Sequence, residues 1–283
     1  MTAPAPESTA EQPERGKGKK SKADKKFDWG HEIRQWAILI LAVLGIHSFI
    51  AKPFYIPSES MVPTLLVGDR LIVSKFPFGF SYLSPSLPIL PRMNGRLFGS
   101  WPERGDIIVV KSPSDGKDWI KRVVGLPGDT VQMIDGELWL NGERVPRERV
   151  ADVEFTVSPN TDCMSQFRGY GSDGRAVCRF PTFRETLPGG RSYLTIDMGD
   201  SYLDNTPPIL VPENGMFLVG DNRDNSSDSR VPPERSGLGI VPWENIVGRA
   251  EFTTFSLDGS TTLNPVTWVT SMRGDRAFQS LRD

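Results

Sequence analysis

An uncharged apolar run over residues 36–51 constrains this 283-residue chain more than any other feature. Arg34 and Lys52 flank the run, whose sixteen residues would rise only about 24 Å as a helix, against a hydrocarbon core of about 30 Å. A buried helix and the apolar region of a cleaved signal segment are therefore competing interpretations. No small-x-small cleavage site follows, the Lys52 amine can snorkel to water, and aromatic residues suited to the interfacial layer come next. We therefore predict a single transmembrane anchor over residues 30–53.

The first 29 residues are rich in Pro, Glu, Ser, Lys and Gly and carry almost no apolar side chains, which is typical of disordered segments. Seven basic residues lie between Arg15 and Lys26, and only Asp24 opposes them. Such a cluster can bind nucleic acid, but directly before a membrane segment it follows the positive-inside rule. The net charge of −2 gives no general reason to expect a nucleic-acid partner. We predict a disordered basic tail over residues 1–29 on the cytoplasmic side, with the body of the chain on the opposite side of the membrane.

Beyond the anchor, the chain has the composition of a β-rich body. Gly 27 and Pro 24 are both high for this length, and long helical patterns are scarce, which favours a mainly β fold with many turns. We predict a β core formed by residues 54–129 and 213–259, an inserted β subdomain over 130–212, and a peripheral segment over 260–283. Residues 76–101 lack periodicity and carry apolar groups; they are either a loop that covers the core or a lip that contacts the membrane, and we favour the lip.

The only two cysteines, Cys163 and Cys178, both fall in the predicted insertion. No His or further Cys lies nearby, which argues against a zinc site. In an oxidising compartment the pair would form a disulfide worth ~3 kcal/mol, whereas a body facing the cytosol would hold two free thiols; we favour the disulfide. The carboxylates of residues 221–228 lack the bidentate Glu that a calcium loop requires. We predict no metal site.

Two serines, Ser58 and Ser60, are separated by Glu59 and lie between Pro57 and Pro63. The prolines disfavour a helix, so the backbone here is extended or turned. In an extended segment residues two apart share a face, and both serines could then point at one reacting atom, one as a nucleophile and one as a hydrogen-bond donor. For this stretch alone the alternative is that the serines simply form a turn.

Three further stretches accompany the serine pair. Residues 119–129 read as an apolar strand that carries a lysine and ends in Gly-Leu-Pro-Gly-Asp, residues 219–230 read Val-Gly-Asp-Asn-Arg-Asp-Asn-Ser-Ser-Asp-Ser-Arg, and residues 104–110 read Arg-Gly-Asp-Ile-Ile-Val-Val. In these blocks, between Phe54 and Ala250, the chain resembles the type I signal peptidase family, also called bacterial leader peptidases. These are membrane-anchored serine proteases that use a serine and a lysine.

The histidine content agrees with a lysine as the base. His31 and His47 lie before or within the predicted anchor, which excludes a Ser-His-Asp triad in the body. A lysine can act as a base only if its pKa falls from ~10.4 towards neutrality, and a fall to about 8 requires roughly 3 kcal/mol from burial. Lys121 is flanked by apolar residues on a presumptive core strand and fits best, although the strand alone would equally suit an outward-facing lysine. More polar surroundings make three other lysines poorer candidates: Lys75, Lys111 and Lys117.

The resemblance implies a role for each matching residue. Ser60 would be the nucleophile and Lys121 the general base. The Ser58 hydroxyl and the Ser60 N–H would form the oxyanion hole, and Ser226 would hydrogen-bond and orient the lysine amine. Glu59 departs from the family, which often has a small residue at this position.

Four charged residues would brace this site. By resemblance, Asp228 and Arg230 form a supporting pair, with Asp221 and Arg122 as further support. Residues two apart on one face suit a charge-assisted network, and the alternative for the first pair is a surface salt bridge. The segment 231–237 that follows is longer than is usual in the family.

The fold that the resemblance implies is the signal-peptidase/LexA-like β fold. The implied activity is removal of signal peptides from exported preproteins at the outer face of a bacterial cytoplasmic membrane, without a cofactor and as a monomer. Small residues are expected at the first and third positions before the cut. The alternatives are a Ser-Lys protease of the same fold with a narrower substrate and an inactive membrane-tethered binding protein, although the latter should have lost Ser60 or Lys121.

Overall fold

A computed structural model describes residues 28–86 and 90–282, and most of the predicted basic tail lies outside the described residues. Helix α1, Trp29–Gly45, continues into one π-helical segment, Ile46–Ile50. Together they form a candidate membrane span of 22 residues by length and composition. At about 33 Å the helix is long enough for a hydrocarbon core of about 30 Å, because it begins well before the apolar run that the sequence alone marks.

The chain from Leu41 onward is one compact unit built mostly from strands, which confirms the mainly β fold. In the described residues the strands are β1 Ala51–Tyr55, β2 Asp69–Ser74, β3 Ile107–Lys111, β4 Asp118–Gly125, β5 Thr130–Ile134, β6 Glu137–Leu140, β7 Glu143–Arg144, β8 Arg147–Arg149, β9 Val153–Thr156, β10 Arg168–Tyr170, β11 Ala176–Phe180, β12 Thr182–Thr186, β13 Ser192–Ile196, β14 Ile209–Leu210, β15 Gly215–Val219, β16 Val241–Pro242 and β17 Ile246–Ser256. A second helix, α2, covers Pro265–Thr270.

The largest sheet has seven antiparallel strands in the order β1-β2-β17-β3-β4-β15-β16. Strand β3 is buried on both faces. Ile107 and Val109 contribute to one core cluster, whereas Ile108 and Val110 contribute to another. Because successive side chains of a strand point to opposite faces, the β-branched run of β3 joins two hydrophobic layers and holds β4 between β3 and β15.

Strands β5–β14 lie within the predicted insertion, residues 130–212, and form three further sheets in the orders β14-β5-β6-β7, β10-β11-β9 and β13-β12-β8. The insertion shares a core with the large sheet, since Val131 and Met133 pack with Phe217 of β15. It is therefore continuous with the body and does not form a separate compact unit. The disulfide Cys163–Cys178 is present in this region.

The C-terminal segment is more than peripheral. The guanidinium of Arg276 pairs with the buried carboxylate of Asp69 at 2.6 Å and donates to the carbonyl of Thr64 at 2.8 Å. Leu281 is buried in the core cluster that includes Leu71 of β2. The segment thus supports the chain just after Ser60, through contacts between residues 207 positions apart that no local pattern could indicate.

The described parts of the 76–101 segment carry exposed apolar side chains but are held at one point. The Arg96 guanidinium donates to the carbonyls of Phe78 at 2.8 Å, Gly79 at 2.7 Å and Ile246 at 2.9 Å. Phe76, Leu90, Leu97 and Phe98 remain exposed. Lipid contact by this segment stays a prediction.

Candidate active site

Ser60 and Lys121, 61 residues apart in the sequence, meet in the structure. Lys121 Nζ lies 2.7 Å from Ser60 Oγ, and it also donates to the carbonyl of Ile120 at 2.9 Å. Both side chains are buried, with exposed fractions of 8% for Ser60 and 4% for Lys121. A hydroxyl and an amine at this distance can exchange a proton directly.

The serine stretch is a turn and not an extended strand. The N–H of Val62 donates to the carbonyl of Glu59 at 3.1 Å, and the N–H of Leu65 donates to that of Met61 at 2.9 Å. The Met61 side chain is fully buried and fixes the turn to the core. Residues two apart need not share a face in a turn: Ser58 is exposed whereas Ser60 is buried. The role of Ser58 therefore stays a prediction.

The backbone of Ser60 is held by the block at residues 219–230. The N–H of Asn222 donates to the Ser60 carbonyl at 3.2 Å. Gly220 packs so closely that an added Cβ would clash with the Ser60 carbonyl and with Ser226 Oγ. Among the described residues no acceptor takes the Ser60 N–H, which leaves this donor free for a ligand.

Burial sets the protonation of Lys121. Burial lowers its pKa to about 8; Asp228 and Asp221 act to raise the pKa, and Arg230 acts to lower it, so burial prevails. The lysine lies on β4, whose residues 118–121 pair only with β3, since the pairing with β15 involves Arg122 and later positions. The sequence-based choice of Lys121 thus coincides with a buried amine of lowered pKa.

Ser226 does not make the hydrogen bond that the resemblance implies. Its hydroxyl is buried without a hydrogen-bond partner of ordinary geometry among the described residues. The Lys121 amine is instead directed to Ser60 Oγ and the Ile120 carbonyl. Ser226 lies near the site, against Gly220, but the expected hydrogen bond to the lysine is not made in this structure.

Arg122 and Asp221 connect the sequence blocks to one another. Arg122 Nε and Nη2 donate to the two carboxylate oxygens of Asp221, each at 2.7 Å, and both side chains are buried. Arg122 Nη1 donates to the carbonyl of Gly105 at 2.7 Å, and the Thr64 hydroxyl donates to Asp221 at 2.6 Å. This bidentate pair therefore joins the three later sequence blocks and, through Thr64, holds the chain just after the serine stretch.

Asp228 and Arg230 form a second buried pair. Arg230 Nε donates to Asp228 Oδ1 at 2.8 Å and Nη2 donates to Oδ2 at 2.9 Å, and neither side chain is exposed. The interpretation as a surface salt bridge is therefore wrong. Burial acts to raise the pKa of Asp228, but the charge and hydrogen bonds of Arg230 lead the effects that leave it below its usual value. Asp228 also accepts the N–H of Gly220 at 2.9 Å, which links the pair to the segment that holds Ser60.

Sequence reasoning missed the partners that the insertion supplies. Arg223 pairs with the buried Glu185 of β12, and the hydroxyl of Tyr193 on β13 donates to the same carboxylate at 2.9 Å. The Tyr193 ring stacks under the Arg122 guanidinium at 4.2 Å. Neither Glu185 nor Tyr193 lies in a recognisable motif, so only the three-dimensional contacts reveal them.

The chain is similar to signal peptidases over most of its length. The model of the family described as signal peptidase, peptidase S26, matches residues 29–255. Signal peptidase I of Rickettsia typhi is 34% identical over 270 residues, which are 88% of this chain and 93% of that protein. Signal peptidase I of Rickettsia felis is 34% identical over 275 residues, which are 90% of this chain and 93% of that protein.

Among solved structures, a signal peptidase I from Enterococcus faecalis matches at 24% identity with a TM-score of 0.29, over 53% of this chain and 97% of that one. The family assignment rests on the family model and on the Rickettsia relatives, which cover nearly the whole chain. On these matches the chain belongs to the signal peptidase family, peptidase S26.

Proposed function

We propose that Ser60 and Lys121 are the catalytic dyad with which this chain, a serine endopeptidase of the signal peptidase family, removes signal peptides from preproteins. The observation that carries the assignment is the 2.7 Å contact between Ser60 Oγ and Lys121 Nζ. Because burial lowers the pKa of Lys121 to about 8, an appreciable share of the amine is neutral near physiological pH and able to accept a proton.

The proposed reaction follows from that contact. Ser60 Oγ attacks the scissile carbonyl while its proton moves to Lys121 Nζ, and the resulting ammonium gives the proton to the leaving amine. This leaves an ester on Ser60. Water then attacks the ester, with Lys121 again accepting a proton, which returns to Ser60 Oγ as the acid is released. The free Ser60 N–H, together with the Ser58 hydroxyl, would stabilise the oxyanion in both halves of the reaction.

Two strand edges that pair with no other strand in the described part of the chain could accept an extended substrate. β1 is the terminal strand of its sheet, and residues 118–121 of β4 pair on one side only. Phe54 of β1 and Ile120 of β4 pack on the same core cluster, together with Ile56. A peptide that adds to such edges makes backbone hydrogen bonds, and its alternate side chains face the same side. We expect the first and third residues before the cut to point together at this apolar floor and to be small.

We further propose that the chain works as a monomer in a bacterial cytoplasmic membrane, with its N-terminus cytoplasmic and its body outside. The candidate span Trp29–Ile50 and the basic residues before it support this orientation. The disulfide in the body suits an oxidising compartment. All proposed catalytic groups come from one chain, and the proposed chemistry uses no cofactor.

The proposal is tested with the purified full chain in detergent and a preprotein whose signal ends in Ala-x-Ala. Wild type should cut after this sequence, and Ser60→Ala and Lys121→Met should each lose at least about a thousandfold in rate while keeping their circular dichroism. Lys117→Met is the matched control, because the Lys117 side chain is 79% exposed. Cleavage retained by Lys121→Met would overturn the base assignment, and a wild type inert on several such preproteins would overturn the substrate assignment.

A further inference from the structure

A second polar site includes Lys52 of β1 and Asp118 of β4, at the ends of the two proposed substrate edges that are farther along the chain from Ser60 and Lys121. A cavity of about 380 Å³ is lined by the basic residues Lys52, Lys75, Arg92 and Lys111 and by one carboxylate, that of Asp118. Four cations and one anion leave a net charge of +3 (4 − 1) when every lysine is protonated. The volume of the cavity is within the usual range of small-ligand sites, and its positive charge favours binding of an anion.

Most of this positive charge has no counter-ion in the protein. Lys111 forms an ion pair with the Asp118 carboxylate at 2.7 Å. Among the described residues, Lys52, Lys75 and Arg92 form no ion pair; the Lys52 amine lies only over the Phe54 ring, at 5.0 Å. Three cations therefore surround a space that contains one already neutralised acid.

Lys75 is the most unusual member of the group. It is 3% exposed, and among the described residues its amine, which has three donors, donates to the carbonyl of Ser84 alone, at 3.1 Å. Burial, followed by the charge of Lys52, lowers the pKa of Lys75 to about 8. The hydrogen bond from the Ser84 N–H to the Ser81 carbonyl, at 3.0 Å, closes the turn that presents this acceptor. Lys75, a poorer base candidate from the sequence, is thus as deeply buried as Lys121. A buried ammonium with one neutral acceptor is costly, and an anion would supply the missing partner.

The cavity adjoins the end of the candidate membrane span. Lys52 follows Ile50, the last residue of the span, by two positions. Ser86, which lines the cavity together with Tyr82, is joined to the final segment of the span, since its N–H donates to Ser48 Oγ at 2.9 Å. Phosphates of phospholipid headgroups are the anions found just beyond the end of a membrane-spanning helix.

We propose that this cavity binds the phosphodiester of an anionic phospholipid headgroup. Lys75, Lys52 and Arg92 supply the cations that pair with the phosphate oxygens. A bound headgroup would fix the body at one height on the membrane surface. The inference rests on membrane anchoring and not on the Ser60–Lys121 assignment.

The test is native mass spectrometry of the full chain in neutral detergent, titrated with phosphatidylglycerol. Wild type should retain one lipid, and the double variant Lys52→Gln, Arg92→Gln should bind it about thirtyfold more weakly. The matched control Lys117→Gln removes an exposed lysine outside the cavity and should bind as wild type does. Because the readout is lipid binding, its failure is distinct from a failure of the peptidase assay.

Three results would overturn the proposal. The first is a double variant that binds phosphatidylglycerol as tightly as wild type does. The second is a wild type that retains phosphatidylcholine equally well, although that headgroup carries its own cation. The third is displacement of the lipid by inorganic phosphate, which would assign the site to free phosphate.

Discussion

Replacing Lys121 by methionine should abolish cleavage and yet stabilise the folded chain at neutral pH. The amine has a pKa of about 8 in the fold against an ordinary value of 10.5, which corresponds to a cost of about 3 kcal/mol at pH 7. Methionine does not carry this cost, but it loses the hydrogen bonds to Ser60 Oγ and the Ile120 carbonyl, each worth about 1 kcal/mol. The variant should therefore be more stable than wild type by about 1 kcal/mol.

The pH dependence separates titration from packing. Because the pKa of Lys121 is lower in the folded than in the unfolded chain, the unfolded chain binds more protons between about pH 8 and about pH 10.5, and wild-type stability rises with pH across that window. Between about pH 7 and about pH 9.5 wild type should gain about 2 kcal/mol relative to Lys121→Met. All other titrating groups cancel in the difference, so the variant should become the less stable of the two at the higher pH.

Denaturant unfolding of the full chain in detergent, followed by tryptophan fluorescence at both pH values, measures this difference. Lys117→Met controls for the loss of a surface lysine, because the Lys117 side chain is 79% exposed. A free-energy difference between wild type and Lys121→Met that does not change with pH would refute a buried lysine of lowered pKa.

Three further outcomes are expected. The kcat/KM of preprotein cleavage should rise about tenfold between about pH 7 and about pH 9, as the neutral fraction of Lys121 grows from about a tenth to about nine-tenths; a flat profile would contradict the base assignment. Gly220→Ala should reduce cleavage by about a hundredfold, because the added methyl displaces the Ser60 backbone. Arg276→Met should lower the free energy of unfolding by about 3–5 kcal/mol, since it leaves the Asp69 carboxylate buried and unpaired, and thermal unfolding measures the loss.

Matched variants separate these effects from general damage. Gly274→Ala adds the same methyl in open space and should leave cleavage unchanged; equal activity of the two alanine variants would contradict the steric argument. Arg282→Met removes a largely exposed arginine of the same segment, and surface pairs contribute about 0–1 kcal/mol. A loss as large as that of Arg276→Met would argue against the buried pair as the cause.

The sequence predicts those features that depend on interactions between neighbouring residues. The β-branched run of β3 and the apolar flanks of Lys121 predict buried strands from neighbouring residues alone, and the structure has both. The absence of a usable histidine narrowed the base to a lysine before any contact was known. These inferences needed only periodicity, composition and the chemistry of side chains.

The remaining features depend on contacts that no short window contains. Glu185 and Tyr193 enter the site from the insertion, and Arg276 reaches it from the C-terminal segment. Lys75, ranked below Lys121 from the sequence, is also buried in the fold. The position of each of these side chains depends on how distant strands and loops pack, and the residue type alone does not predict it.

The buried ion pairs around the site bear on the protonation of the lysine. Asp228 and Asp221 both act to raise the pKa of Lys121, and a free carboxylate near a lysine favours its charged form. Here Arg230 donates hydrogen bonds to both carboxylate oxygens of Asp228, and Arg122 donates to both of Asp221. Because each acid is neutralised by its own arginine, burial decides the pKa of Lys121. Removing the Arg230 guanidinium while keeping Asp228 should therefore raise that pKa, and cleavage at neutral pH should fall even though the serine and the lysine are both still in place.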